Sequence, residues 1–159
     1  MLLVLKNLLF TLVVPGTVAV YVPLLLARGR AWAAGPQFAI AVAVLALGAG
    51  IYAWCVWDFA VFGRATPAPI DAPKRLVVRG LYRYTRNPMY AGVLTVILGW
   101  AVMFEAAALV VYALAVALCF HLFIVLYEER RLRGEFGAEY EDYCARVRRW
   151  LPRMSRPAA

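Results

Sequence analysis

Two stretches of this sequence combine residue types that can do chemistry. The first is Arg79-Gly-Leu-Tyr-Arg-Tyr-Thr-Arg-Asn-Pro-Met-Tyr-Ala-Gly92, which sets arginines and tyrosines against the edge of a long apolar run. Pro88 suits the first turn of a helix, where its missing N–H costs nothing, and Asn87 before it is a good N-cap. The helix so begun presents free N–H groups and partial positive charge, flanked by Arg83 and Arg86, which suits a carboxylate or a phosphate. Tyr82, Tyr84 and Tyr90 add flat faces for a ring or a cation. The same residues also make an interfacial belt, with tyrosines at headgroup depth and arginines reaching for water.

The second stretch is Glu128-Glu129, with His121, the only histidine, seven residues upstream. On a regular α-helix that separation turns through about 700°, nearly two full turns, so His121 and Glu128 are expected on one face, lining one pocket. An ionisable residue within a span reads first as functional; the plainer role for His121 is a hydrogen bond inside the bundle. Glu128 can hold an ammonium group, or else pair with Arg131 or Arg133. Together the two stretches offer partners for an anion, an ammonium and a ring. S-adenosylmethionine has all three parts, and a headgroup such as phosphatidylserine fits as well.

The elements that must position these groups are membrane helices. Of the 159 residues 65% are hydrophobic, and the mean hydropathy is +0.73, well outside the range of soluble domains. The apolar runs are continuous and do not alternate, which excludes a barrel. The net charge of +8 raises nucleic acid as a partner, but no soluble basic domain exists to lie on a duplex. Basic residues beside spans serve orientation and contact with anionic lipid instead. Cys55, Cys119 and Cys144 are too scattered for a disulfide framework or a metal motif, so no metal is expected.

Four spans are expected, at about 2–27, 36–62, 88–104 and 106–127. The first is read as a retained span rather than a signal peptide, kinked by Pro15-Gly16 and Pro23. In the second, Gly48 and Gly50 permit close helix packing, and Trp54, Trp57 and Tyr52 form an interface belt. Asp58 near its end has no assigned role. The link from Gly63 to Tyr84, rich in Arg and Pro, should be irregular and lie on the membrane surface. The third span is short, about 24 Å at 1.5 Å per residue, so its start should be drawn below the headgroups and surrounded by protein or water. A tight turn at Glu105 follows. After the fourth span, Tyr140 to Trp150 can form an amphipathic surface helix. The expected fold is thus an all-α polytopic membrane protein of about four transmembrane helices plus a C-terminal cytoplasmic amphipathic helix, one domain over residues 1–159. Six Lys or Arg in 63–86 and eight after Glu128 put both basic segments, and with them both termini, in the cytoplasm. Arg28 and Arg30 on the outer side count mildly against it.

The run Gly80-Leu-Tyr82-Arg-Tyr84-Thr-Arg86-Asn87-Pro88-Met-Tyr90-Ala-Gly92, followed 36 residues later by Glu128-Glu129-x-x-Leu132-x-x-x-Phe136-Gly137-x-x-Tyr140-x-x-Tyr143-x-x-x-Val147, resembles the isoprenylcysteine carboxyl methyltransferase and phospholipid methyltransferase superfamily. The resemblance covers about Leu76 to Pro152 and implies a membrane-embedded methyltransferase that uses S-adenosylmethionine. It implies cofactor binding by Lys74, Arg75, Leu76, Val77, Tyr82, Asn87, Pro88, Met89, Tyr90 and Glu128, all within 74–152. It also implies that Arg86 stands beside the reaction centre. Where this chain has Asn87 the family often has histidine, and Asn cannot take a proton. Proline is common where Arg130 and Arg148 stand. Ile124 occupies the position at which the prenylcysteine branch carries an arginine for the substrate carboxylate. The implied acceptor is therefore a phospholipid or another small lipophile as well as a prenylcysteine carboxylate.

Methyl transfer from a sulfonium needs donor and acceptor held in line and water excluded, a task to which proximity contributes about 7–11 kcal/mol. A carboxylate acceptor needs no base; an amine or thiol does, and Glu128, Glu129 or His121 is available, with Tyr90 less suited. Two other readings stand beside this one. One is a membrane reductase of the sterol type that binds NADPH. The other is a non-catalytic lipid-binding membrane protein whose two clusters serve as interface anchors.

Overall fold

A computed structural model describes residues 2–63 and 75–151, with side chains from Leu9 onward. Every regular element among them is helical. The first rod joins α1 (Leu2–Gly16), a π turn at Thr17–Tyr21 and α2 (Val22–Leu26). Its widened turn has a local cause. Pro23 has no N–H, so the carbonyl of Ala19 is freed. Trp100 Nε1 donates to Ala19 O at 2.9 Å and Tyr112 Oη to Val18 O at 2.9 Å. Neighbouring helices thus satisfy the carbonyls that the proline leaves open, as a bilayer requires.

The second rod, α3 (Pro36–Asp58), starts on a proline at its first position and ends in a π turn, Phe59–Gly63. It crosses α4 (Pro88–Met103) backbone to backbone. A Cβ on Gly48 would stand 2.7 Å from Val96 N and 2.8 Å from Gly92 O, and one on Gly92 would stand 3.0 Å from Gly48 O. Close approach through small residues is the main source of helix association in lipid, where the hydrophobic effect between helices is lost. Gly50, expected to help, has nothing within 4 Å of its Cβ position and faces away from the crossing. The Tyr52 hydroxyl also departs from expectation: it bonds Thr11 Oγ1 at 2.9 Å, tying the first rod to α3, while Trp54 and Trp57 are exposed as a belt requires.

Glu105 makes the tight turn, with φ +48. Then α5 (Ala107–Phe123), a π turn at Ile124–Glu128 and α6 (Glu129–Phe136) run on as one helix. It is longer than the expected span, because the charged segment Glu129–Phe136 continues the same helix. Gly137, at φ +50, turns the chain into α7 (Ala138–Arg146). The amphipathic helix ends earlier than the expected Trp150, since Val147 is extended at φ −119, ψ 128. Residues 147–151 instead form a strap that returns to the start of α4.

Among the described residues three helices are long and apolar enough to cross a membrane, at Leu9–Leu26, Pro36–Phe62 and Ala107–Phe136, and α4 is a shorter apolar helix beside them. Their outer faces carry exposed Leu12, Leu25, Leu47, Val111, Leu114 and Leu118, a surface that suits lipid rather than water. The chain is an all-α polytopic membrane protein.

Candidate functional site

The start of α4 and the exit of the fourth apolar helix meet. Tyr90 Oη donates to Glu128 Oε2 at 2.8 Å, and the Tyr90 ring lies against Phe120 with centroids 4.8 Å apart. Pro88 sets the helix start and places Tyr90 in its first turn, pointing across to α5. The π turn places Glu128. By closing on i→i+5 it inserts one residue into the helical count, roughly 100° of phase, between His121 and Glu128. The expected common face is therefore lost. His121 Nδ1 instead accepts a hydrogen bond from Trp150 Nε1 at 3.2 Å, with the two rings stacked.

Glu129, one residue on, points into a ring of arginines. Arg149 reaches it with two nitrogens at 2.7 and 3.0 Å, Arg86 at 3.3 Å and Arg133 at 3.7 Å. Three guanidinium groups keep a carboxylate charged, which removes Glu129 from the candidate bases. Arg86 also donates to Cys144 Sγ at 2.6 Å, while its Nε is buried without a hydrogen-bond partner among the described residues. The strap completes this layer. Arg86 N–H donates to Arg148 O at 2.9 Å, and Thr85 Oγ1 and Asn87 Nδ2 donate to Arg149 O, each at 3.0 Å. Asn87 does occupy the N-cap position of α4, but its side chain makes no capping bond, because the strap takes it.

Beneath this layer, Tyr82 is buried in the short 3₁₀ turn Gly80–Arg83. It packs with Cys55 and Val77 in a cluster that Phe59 and Met89 complete. Burial, with the neighbouring Cys55, pushes its phenol well above the ordinary value. Tyr143 Oη donates to Tyr82 O at 2.7 Å; burial raises that phenol too, so it stays a donor.

Among the residues singled out from the sequence, Tyr90 meets Glu128, Arg86 meets Glu129 and Asn87 meets the strap, Tyr82, Val77 and Met89 share one cluster, and Pro88 is buried at the helix start. Leu76 turns to the cluster of Tyr140, Tyr143 and Val147. Arg75 and Tyr84 are exposed, and Lys74 lies outside the described residues. Glu129, Cys144, Arg149 and Trp150 are the parts that sequence reasoning missed as a framework. The acid pair gave a signal, since two adjacent carboxylates on a helix must point different ways. No signal marked which one the arginines would take. A separate apolar groove of about 360 Å³ runs between the first rod, α3 and α4, with Thr11, Ala19, Tyr52, Val93 and Val96 on its walls.

Comparison with known proteins agrees with this architecture. Probable protein-S-isoprenylcysteine O-methyltransferases of Oryza sativa, subspecies indica and japonica, are each 37% identical to the chain over 78 residues, 49% of this chain and 41% of theirs. Methanethiol S-methyltransferase 2 of Bradyrhizobium diazoefficiens is 38% identical over 74 residues, 46% of this chain and 27% of the relative. The chain thus matches less than half the length of these curated relatives. No solved structure matches it. The model of the phospholipid methyltransferase family matches residues 36–139, a range that holds α3, the Tyr90–Glu128 contact and the arginine-ringed Glu129, and the chain belongs to that family.

Proposed function

We propose that the protein is an integral membrane methyltransferase that moves a methyl group from S-adenosylmethionine to a lipophilic acceptor. The observation that carries this reading is the Tyr90–Glu128 hydrogen bond across the helix bundle, which puts a carboxylate beside the uncapped start of α4. The residues present fit such a donor. Glu128 suits its ammonium group, the unpartnered Arg86 Nε suits its carboxylate, and the Tyr90 and Phe120 rings suit a sulfonium. Tyr82, Val77, Asn87, Pro88 and Met89 would wall the same space, with Arg75 and Leu76 at its edge; Lys74, the remaining cofactor-binding candidate, lies outside the described residues.

When bound, S-adenosylmethionine supplies an electrophilic methyl group, which needs no metal. The chain's own residues orient, exclude water and manage the proton. Glu129 and the strap fix Arg86, so its guanidinium is preorganised rather than mobile. Glu128 is the candidate base for an amine or thiol acceptor, since His121 is engaged by Trp150 and Glu129 by arginines. Ile124 is buried and brings no cation towards a carboxylate acceptor, which favours a phospholipid amine or another small lipophile. The groove beside α4 suits an acceptor that arrives sideways from the bilayer, because Val93 lies one turn beyond Tyr90. With the basic segments in the cytoplasm by the positive-inside rule, the donor enters from that side, beside the C-terminal strap.

Equilibrium binding of S-adenosylhomocysteine to the purified protein in detergent tests the reading, together with transfer of labelled methyl to a total lipid extract. Saturable binding is expected, weakened about 10-fold or more in Glu128→Gln. Saturable NADPH binding with none of S-adenosylhomocysteine would overturn it, as would a Glu128→Gln variant of unchanged affinity.

A further inference from the structure

The groups that the cofactor reading assigns to the donor are closed on one another. Tyr90 is bonded to Glu128, the Arg86 side chain is 12% exposed, and its Nε is buried. A nucleoside can reach that nitrogen only after a neighbouring element moves. Glu129 and Cys144, which touch Arg86, stand on α6 and α7, whose backbone bonds resist such a motion. The strap differs. Val147 leaves α7 in an extended conformation, and residues 148–151 belong to no helix. Lids over binding sites are drawn from segments of this kind, of low local stability and held by a few bonds that re-form on closure.

The two ends of the strap are held by different means. The Val147 side chain is buried with Tyr140 and Tyr143, which keeps that end on α7. At the other end one neutral hydrogen bond, Trp150 Nε1 to His121 Nδ1 at 3.2 Å, and one ring stack hold the chain to α5. Between them the carbonyls of Arg148 and Arg149 receive Arg86 N–H, Thr85 Oγ1 and Asn87 Nδ2, so the strap lies across the loop that carries Arg86. Arg149 also ties it to Glu129. Breaking that tie strands no charge. Glu129 keeps Arg86 and Arg133, and Arg149, already 31% exposed, turns to water. A buried acid with a single cation could not release it without leaving a bare charge behind; three arginines on one carboxylate allow one to leave. We infer that residues 147–151 gate the donor site, with the hinge at Val147 and the latch at Trp150 on His121, an assignment that rests on the cofactor reading above and adds to it a moving part. Opening carries the Arg148 and Arg149 carbonyls off the 85–87 loop and uncovers Arg86, and closing over the bound donor keeps water from its methyl group.

Stopped-flow mixing of the purified protein in detergent with S-adenosylhomocysteine measures association and release separately. A latch opposes entry and exit alike, so weakening it speeds both and leaves their ratio in place. Trp150→Phe keeps a ring and removes the N–H donor; His121→Phe keeps a ring and removes the acceptor. Each should raise both rates by about 2- to 10-fold, the effect of one neutral hydrogen bond, with the dissociation constant within about 2-fold of wild type. The double variant should be no faster than either single one, because both remove the same bond. Unchanged association rates in the two single variants, whether or not release is faster, would mean that the pair only supports the fold; that result overturns the gate while the cofactor reading stands. A wild type with no saturable binding of S-adenosylhomocysteine refutes the cofactor reading and the gate with it.

Discussion

Replacing Glu129 by Gln keeps the side chain's shape and removes the charge on which three arginines converge. The cost follows from how buried each partner is. Arg133 is 44% exposed and 3.7 Å away, so its share is well under about 1 kcal/mol. Arg149 is 31% exposed and bound through two nitrogens; Gln can still accept one of them, and the loss is about 1 kcal/mol. Arg86 is 12% exposed and would be left as a nearly buried cation without its counter-ion. A fully buried pair broken in this way costs about 3–5 kcal/mol, and at 3.3 Å with some solvent contact the figure is about 2 kcal/mol. The total is about 3 kcal/mol, which for a chain of this size lowers the melting temperature by about 6–12 °C. Tryptophan fluorescence on heating the detergent-solubilised protein measures it. Arg133→Gln is the control, expected within about 3 °C of wild type, because its partners are Glu129 at a distance and the exposed Glu141. A Glu129→Gln variant that melts with wild type, or an equal fall in Arg133→Gln, would refute the hub.

Three further outcomes are expected. Gly48→Leu should force α3 and α4 apart, costing about 1–3 kcal/mol or more, because the atoms it meets are backbone; Gly50→Leu should be silent in the same melting assay, and equal effects would contradict the crossing. Tyr143→Phe removes the donor to the buried Tyr82 carbonyl and should destabilise by about 1–3 kcal/mol, with an unchanged melting temperature as the contrary result. Trp150→Ala should release the strap from His121, so that the Arg86 amide, which donates to Arg148 O, exchanges about 5- to 30-fold faster in hydrogen-exchange mass spectrometry. Unchanged exchange would mean that the strap is held without Trp150.

Much of the architecture was legible because hydropathy and helix punctuation act locally. The apolar runs marked the spans, Pro88 and Asn87 marked the start of α4, and Glu105 marked the turn. The pairing of Tyr90 with Glu128 was legible from the spacing of two motifs once they were placed at the same membrane boundary. The faces of the helices were not. α3, α4 and α5 are apolar all round, since lipid and protein interior make the same demand on a side chain, so no stripe revealed that Gly48 faces α4 and Gly50 does not. The 100° rule failed between His121 and Glu128 because one π turn intervenes, and nothing in the local sequence announces it.

By itself, then, the sequence determined that this is a helical membrane protein with two polar clusters at span ends, through free energies that depend on each segment's own composition. Which acid faces the arginines and where Trp150 docks were decided only by the tertiary structure. Those outcomes depend on distances between side chains that are far apart in the chain and meet through helix crossings and phase shifts that no single segment encodes.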